Sequence, residues 1–121
     1  MPTLEEMKTK IGELVRAKGF GNASGDFPNK LLFAFIELGE AGNNWKKGMK
    51  LVGPDKPFKS REELEAAIVE ELIDAIFYEI DAARVAFPAI NLDDVFLKKL
   101  AKNWGREYRY GEDPNNVKHI G

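Results

Sequence analysis

Apolar residues recur every three to four positions along most of this chain, and the pattern divides it into four helices. Leu4, Met7, Ile11, Leu14 and Val15 share one helical face. Thr3, with Glu6 three residues later, supplies the capping box that opens this first helix, predicted to run to about Lys18. The stretch Gly19 to Asp26 holds three glycines, Asn22 and Ser24, and reads as a loop. A second helix is expected from about Pro28, tolerated in a first turn, to just before Gly48. Gly48, Gly53, Pro54 and Pro57 mark another loop over 47–59. Ser60 and Glu63 form a second capping-box signature, opening a long helix to about Ala86. Pro88 ends it, and Asn91 caps a fourth helix that reaches Trp104 before Gly105. No strand pattern and no internal repeat competes with this reading.

Four helices joined by short loops predict an all-α fold, an up-and-down four-helix bundle. The expected single domain covers 1–111, and the polar segment 112–121 reads as a fraying tail. Leu31, Leu32, Phe33, Phe35, Ile36 and Leu38 cover most of the circumference of the second helix. A helix apolar nearly all round is buried on all sides, at the centre of a monomer or between subunits. In a chain this short the second is expected, as a homodimer or homotetramer.

Composition narrows the chemistry mainly by exclusion. The 121 residues suit one helical core, and the formal net charge of −2 offers no basic field for a nucleic acid polymer or an anionic membrane. There is no cysteine, which removes disulfides, thiolate zinc sites and a cysteine nucleophile together. The longest apolar run, Leu31 to Ile36, is far too short to span a bilayer, and Met1–Lys10 has no signal core. The expected compartment is cytoplasmic, a reading that rests on absences.

The positive signal is a pair of acidic spacings, Glu37-x-x-Glu40 and Glu71-x-x-Asp74. Residues three apart share a helix face, so each pair points two carboxylates the same way. Helical carboxylates are ordinarily solvated and ion-paired, but none of these four has Lys or Arg within one turn. Between Arg61 and Arg84 the chain carries no basic residue at all. Glu71 continues the stripe of Leu64 and Ile68, and Glu37 follows Phe33 by one turn, so both lie at or beside inward positions. Like charges brought together there need relief, since desolvating an ion costs several kcal/mol unless compensated. Either the acids share protons, or a cation neutralises them. Four oxygen donors from two helices suit Mg²⁺, with Mn²⁺ also possible. Zinc is disfavoured, because the only histidine, His119, lies in the tail.

These motifs and their flanks resemble the MazG-type all-α nucleoside triphosphate pyrophosphohydrolases, whose hallmark is Glu-x-x-Glu on one helix and Glu-x-x-Asp on the next. Lys18-Gly19-Phe20, Trp45-Lys46-Lys47-Gly48 and the segment from Lys99 to Gly111 look like further family features. The last is similar to a Lys-x3-Asn-x2-Arg-x-Tyr-x2-Gly closing signature. The resemblance spans about 18–111 in the family's order. Departures are Phe35 in place of a common His, Gly39 in place of Ser, and Glu107 and Tyr110 in place of Pro and His. They leave the four acids intact and bear on substrate preference.

The resemblance implies a Mg²⁺-dependent enzyme that cleaves an NTP or dNTP between the α- and β-phosphates, giving NMP and pyrophosphate. It implies Glu37, Glu40, Glu71 and Asp74 as catalytic metal ligands, with Glu37 or Glu40 also a candidate base. Lys99, Asn103, Arg106, Tyr108 and Trp45 become candidate nucleotide contacts. Glu70 is a candidate outer acid or a plain solvated one, and Lys46 and Lys47 reach phosphate or simply solvate a loop. Trp104 is a second candidate for base stacking. Two other readings compete: a non-catalytic helical oligomer with structural or metal-stabilised acids, and a related phosphoribosyl-nucleotide pyrophosphatase.

Overall fold

A computed structural model describes residues 1–106, so Tyr108, His119 and the segment 112–121 lie outside the described residues. Four α-helices follow one another: α1 (Leu4–Lys18), α2 (Phe27–Lys47), α3 (Arg61–Ala86) and α4 (Leu92–Trp104). Each lies within a residue or so of the span its caps predict. Among the described residues there is no strand, only an isolated bridge between Val52 and Phe58 that closes the loop before α3.

The caps explain why the boundaries are legible. Thr3 accepts the Glu6 N–H while the Glu6 carboxyl accepts the Thr3 N–H, a complete reciprocal box. Gly19, at φ 71°, adopts the left-handed conformation that ends α1. Asn91 accepts the Asp94 N–H at 2.9 Å and opens α4. The expected box at Ser60 is only half made. Ser60 accepts the Glu63 N–H, but the Glu63 carboxyl turns to the Lys59 N–H at 2.7 Å, one residue earlier than a capping box requires. The donor is satisfied either way, so the helix starts where predicted.

Two compact units emerge, Met1–Ala89 and Ile90–Gly121. In the first, α2 packs along α3, and α1 lies against α3. Where α2 packs along α3, Ala34 and Ala41 of the one helix and Ala75 and Ala82 of the other are buried. Ile11 and Val15 of α1, with Leu64, Ile80 and Val85 of α3, complete the core. Full burial of such an aliphatic side chain is worth about 1.5–3 kcal/mol. In the second unit, α4 has no buried residue.

Within the single chain, α2 is covered on one face only. Its Ala34–Ala41 face is covered, yet Leu32, Phe35, Ile36 and Leu38 are exposed, Phe35 to 69%. On α3, Val69, Leu72, Ile73 and Ile76 are exposed as well. The physical reason is geometric: one α3 and one α1 cannot enclose two helices that are apolar over most of their circumference. A position at the centre of a monomer is therefore not what α2 adopts.

Candidate functional site

Where α2 lies along α3, the two acidic pairs come together. Glu37 and Glu71 are half-buried, whereas Glu40 and Asp74 are exposed. Burial raises the Glu37 carboxyl above its ordinary value of 4.5, and the charges of Glu40, Asp74 and Glu71 raise it further. Burial likewise raises Glu71, with Glu40 and Asp74 adding to the effect and the Asn44 amide opposing it. The charge of Glu40 acts on Glu37 of its own helix and on Glu71 of α3, so the field spans the two helices. All four carboxyls therefore share one field. No three of them, among the described residues, are drawn together as tightly as a metal ion draws its ligands.

Two neighbours that spacing alone did not single out complete this arrangement. The Asn44 side chain donates to both carboxyl oxygens of Glu71, at 3.0 and 3.3 Å. Tyr78, one turn beyond Asp74, is half-buried; burial raises its phenol, and the charges of Glu37 and Asp74 raise it further. Its ring meets Phe33 with centroids 5.4 Å apart. The signal for both was present in the sequence, since Asn44 falls four residues after Glu40 and Tyr78 four after Asp74. Only the facing of the helices gives those neighbours a role.

The remaining candidates are distributed as follows. Trp45, near the end of α2, is 78% exposed, and Trp104, closing α4, is 82% exposed. Neither is a core residue. Lys46 and Lys47 are exposed at the end of α2, and Glu70 is exposed on α3. Lys99 and Asn103 stand exposed on α4, with Arg106 just beyond it, all within the second unit.

As a donor set, the cluster suits a hard divalent cation. It offers carboxylate oxygens only, it carries no cation of its own within one helical turn, and its half-buried members already hold their protons more tightly than free carboxyls do. Comparison with protein-family models, with curated proteins and with solved structures finds no match to this chain. No helix among the described residues is long and apolar enough to cross a membrane.

Proposed function

We propose that this protein is a Mg²⁺-dependent nucleotide pyrophosphohydrolase that cleaves an NTP or dNTP to NMP and pyrophosphate. The observation that carries the reading is the convergence of Glu37 and Glu40 from α2 with Glu71 and Asp74 from α3 into one uncompensated acidic field. These four residues would hold the metal, with Mn²⁺ an alternative. When bound, it would neutralise charge on phosphate oxygens and on the developing pyrophosphate.

The chain's own residues supply the rest. A water oxygen forms the new bond to phosphorus, the bridging bond between α- and β-phosphates breaks, and the electron pair leaves with the bridging oxygen. Glu37 or Glu40 takes the water's proton. Asn44 holds the Glu71 carboxyl in place, so that one ligand is oriented before any substrate arrives. Lys99, Asn103, Arg106 and Tyr108 are proposed to contact the nucleotide, on the strength of the closing signature alone.

Self-association belongs to the same proposal. Large apolar side chains stand exposed on both α2 and α3, and a second copy of the chain would cover them and complete a bundle. The decisive experiment is a screen of NTPs, dNTPs and modified nucleotides with Mg²⁺, reading pyrophosphate and the nucleotide product. Pyrophosphate together with NMP supports the proposal; no turnover of any nucleotide removes it and leaves the helical scaffold.

A further inference from the structure

A cavity of ≈ 490 Å³ opens in the first unit between α1, the 19–26 segment, α2 and α3. Its size is that of small-molecule pockets, roughly 300–1,000 Å³. Asp74 and Tyr78 line it, so it adjoins the acidic cluster. Phe20, Phe33 and Phe77 also line it, and each leaves more than two-fifths of its surface uncovered. Aromatic walls beside a phosphate-handling site suit a flat ring.

The wall also holds a buried charge with spare donors. The Lys30 and Asp81 side chains are 8% and 6% exposed, and the Lys30 ammonium donates to Asp81 Oδ2 at 2.5 Å. The second oxygen, Oδ1, accepts from Arg84 Nε at 2.8 Å, with Arg84 Nη2 also 2.8 Å away as an ion pair. Asp81 is thus engaged by two cations. An ammonium has three N–H donors, and among the described residues Asp81 is the only acceptor Lys30 has. A cation buried to this degree with unclaimed donors calls for acceptors from outside the chain. Asn29, also in the wall, adds an amide with no hydrogen bond among the described residues.

We infer that this cavity receives the base of the nucleotide and that Lys30 selects bases presenting a ring carbonyl, the 6-oxopurines and 4-oxopyrimidines. The inference rests on the nucleotide reading of the adjoining acids. The aromatic side chains enclose the ring, and the spare Lys30 donors meet its exocyclic oxygen. An amino group at the same ring position sets N–H against N–H, and the buried donors then stay unpaired.

The test uses the full chain without metal and measures binding of free nucleosides by saturation-transfer NMR titration, which needs neither phosphate nor turnover. Inosine against adenosine, and uridine against cytidine, differ at the one ring position in question. The oxo member of each pair is expected to bind about tenfold more tightly, the usual effect of one hydrogen bond to a charged group. Lys30→Met should bring each ratio within about threefold, leaving Asp81 paired with Arg84. If that variant loses its helical circular dichroism, Lys30→Arg is read instead; it keeps the charge but moves the donors, and it too should shrink the ratios. Equal binding within each pair by wild type, no nucleoside binding at millimolar concentration, or ratios unchanged in a folded Lys30 variant overturns the inference. Nucleoside discrimination without pyrophosphate release from any nucleotide upholds this pocket while removing the hydrolase reading. Pyrophosphate release without discrimination does the reverse.

Discussion

Asn44 on α2 donates to both carboxyl oxygens of Glu71 on α3, at 3.0 and 3.3 Å, and so ties one acid of the cluster to the neighbouring helix. It is the one side chain acting on Glu71 that favours the charged form; burial, Glu40 and Asp74 all oppose it. Asn44→Ala should therefore raise the Glu71 carboxyl further and remove about 1.5–3 kcal/mol of stability, the usual worth of a hydrogen bond to a charged group. It should also weaken the thermal stabilisation given by Mg²⁺. Chemical denaturation with and without Mg²⁺ measures both effects. A variant as stable as wild type, with an unchanged Mg²⁺ response, would show that the contact does not organise the site.

Glu71→Gln removes one charge from the field and keeps the side chain's shape. Metal-free, the variant should be as stable as wild type or more so at neutral pH, because a repelling charge is gone. With Mg²⁺ the wild type should gain melting temperature by mass action, and the variant should not. Nucleotide hydrolysis should be lost as well. Differential scanning fluorimetry across a Mg²⁺ series decides this; a full Mg²⁺ response in Glu71→Gln would exclude the acid as a ligand.

The raised carboxyls set a pH dependence whose sign follows from linkage. Glu37 and Glu71 hold protons more tightly folded than unfolded. Their contribution is therefore fully present below the ordinary carboxyl value of 4.5 and is lost as pH rises through the raised folded values. Above that window the metal-free protein carries the full repulsion of the cluster. Replacing both acids by Gln should flatten this part of the stability profile, as should saturating Mg²⁺ at neutral pH. Urea unfolding at a series of pH values reads the slope, and identical profiles for wild type and the double variant would contradict the assignment.

The exposed apolar faces predict assembly. Light scattering at micromolar concentration should report a dimer or tetramer. Phe35→Asp, at a position 69% exposed in the single chain, should shift it towards monomer while keeping the helical circular dichroism. A monodisperse wild-type monomer would be incompatible with covering by a second copy.

Lys99 and Arg106 provide the last prediction. Replacing either by Ala should weaken nucleotide use by about 1–3 kcal/mol, since metal alone does not offset a triphosphate. The Mg²⁺-induced shift in melting temperature should stay as in wild type, because neither residue is a proposed ligand. Unimpaired kcat/KM in both variants would leave the closing signature with a structural role only.

Much of this molecule is local chemistry, and local chemistry is written in the sequence. Thr3, Ser60 and Asn91 each satisfy a helix N–H within three residues, and Gly19 supplies the left-handed turn, so α1, α3 and α4 begin, and α1 ends, where the chain predicts. The shared face of Glu37 with Glu40, and of Glu71 with Asp74, follows from the helical repeat alone. What the repeat leaves free is how one helix is rotated against another. Only the packing of α2 on α3 decides that the charge of Glu40 bears on Glu71, that Asn44 serves the same carboxyl, and that Tyr78 feels two acids. The same holds for Lys30 and Asp81, which lie 51 positions apart and carry no mutual signal along the chain. An apolar pattern shows which residues avoid water, but not whether a neighbour in the same chain covers them. That is why the pattern alone does not choose between burial of the outer face of α2 within one chain and between subunits, and only the fold shows that face open in the single chain.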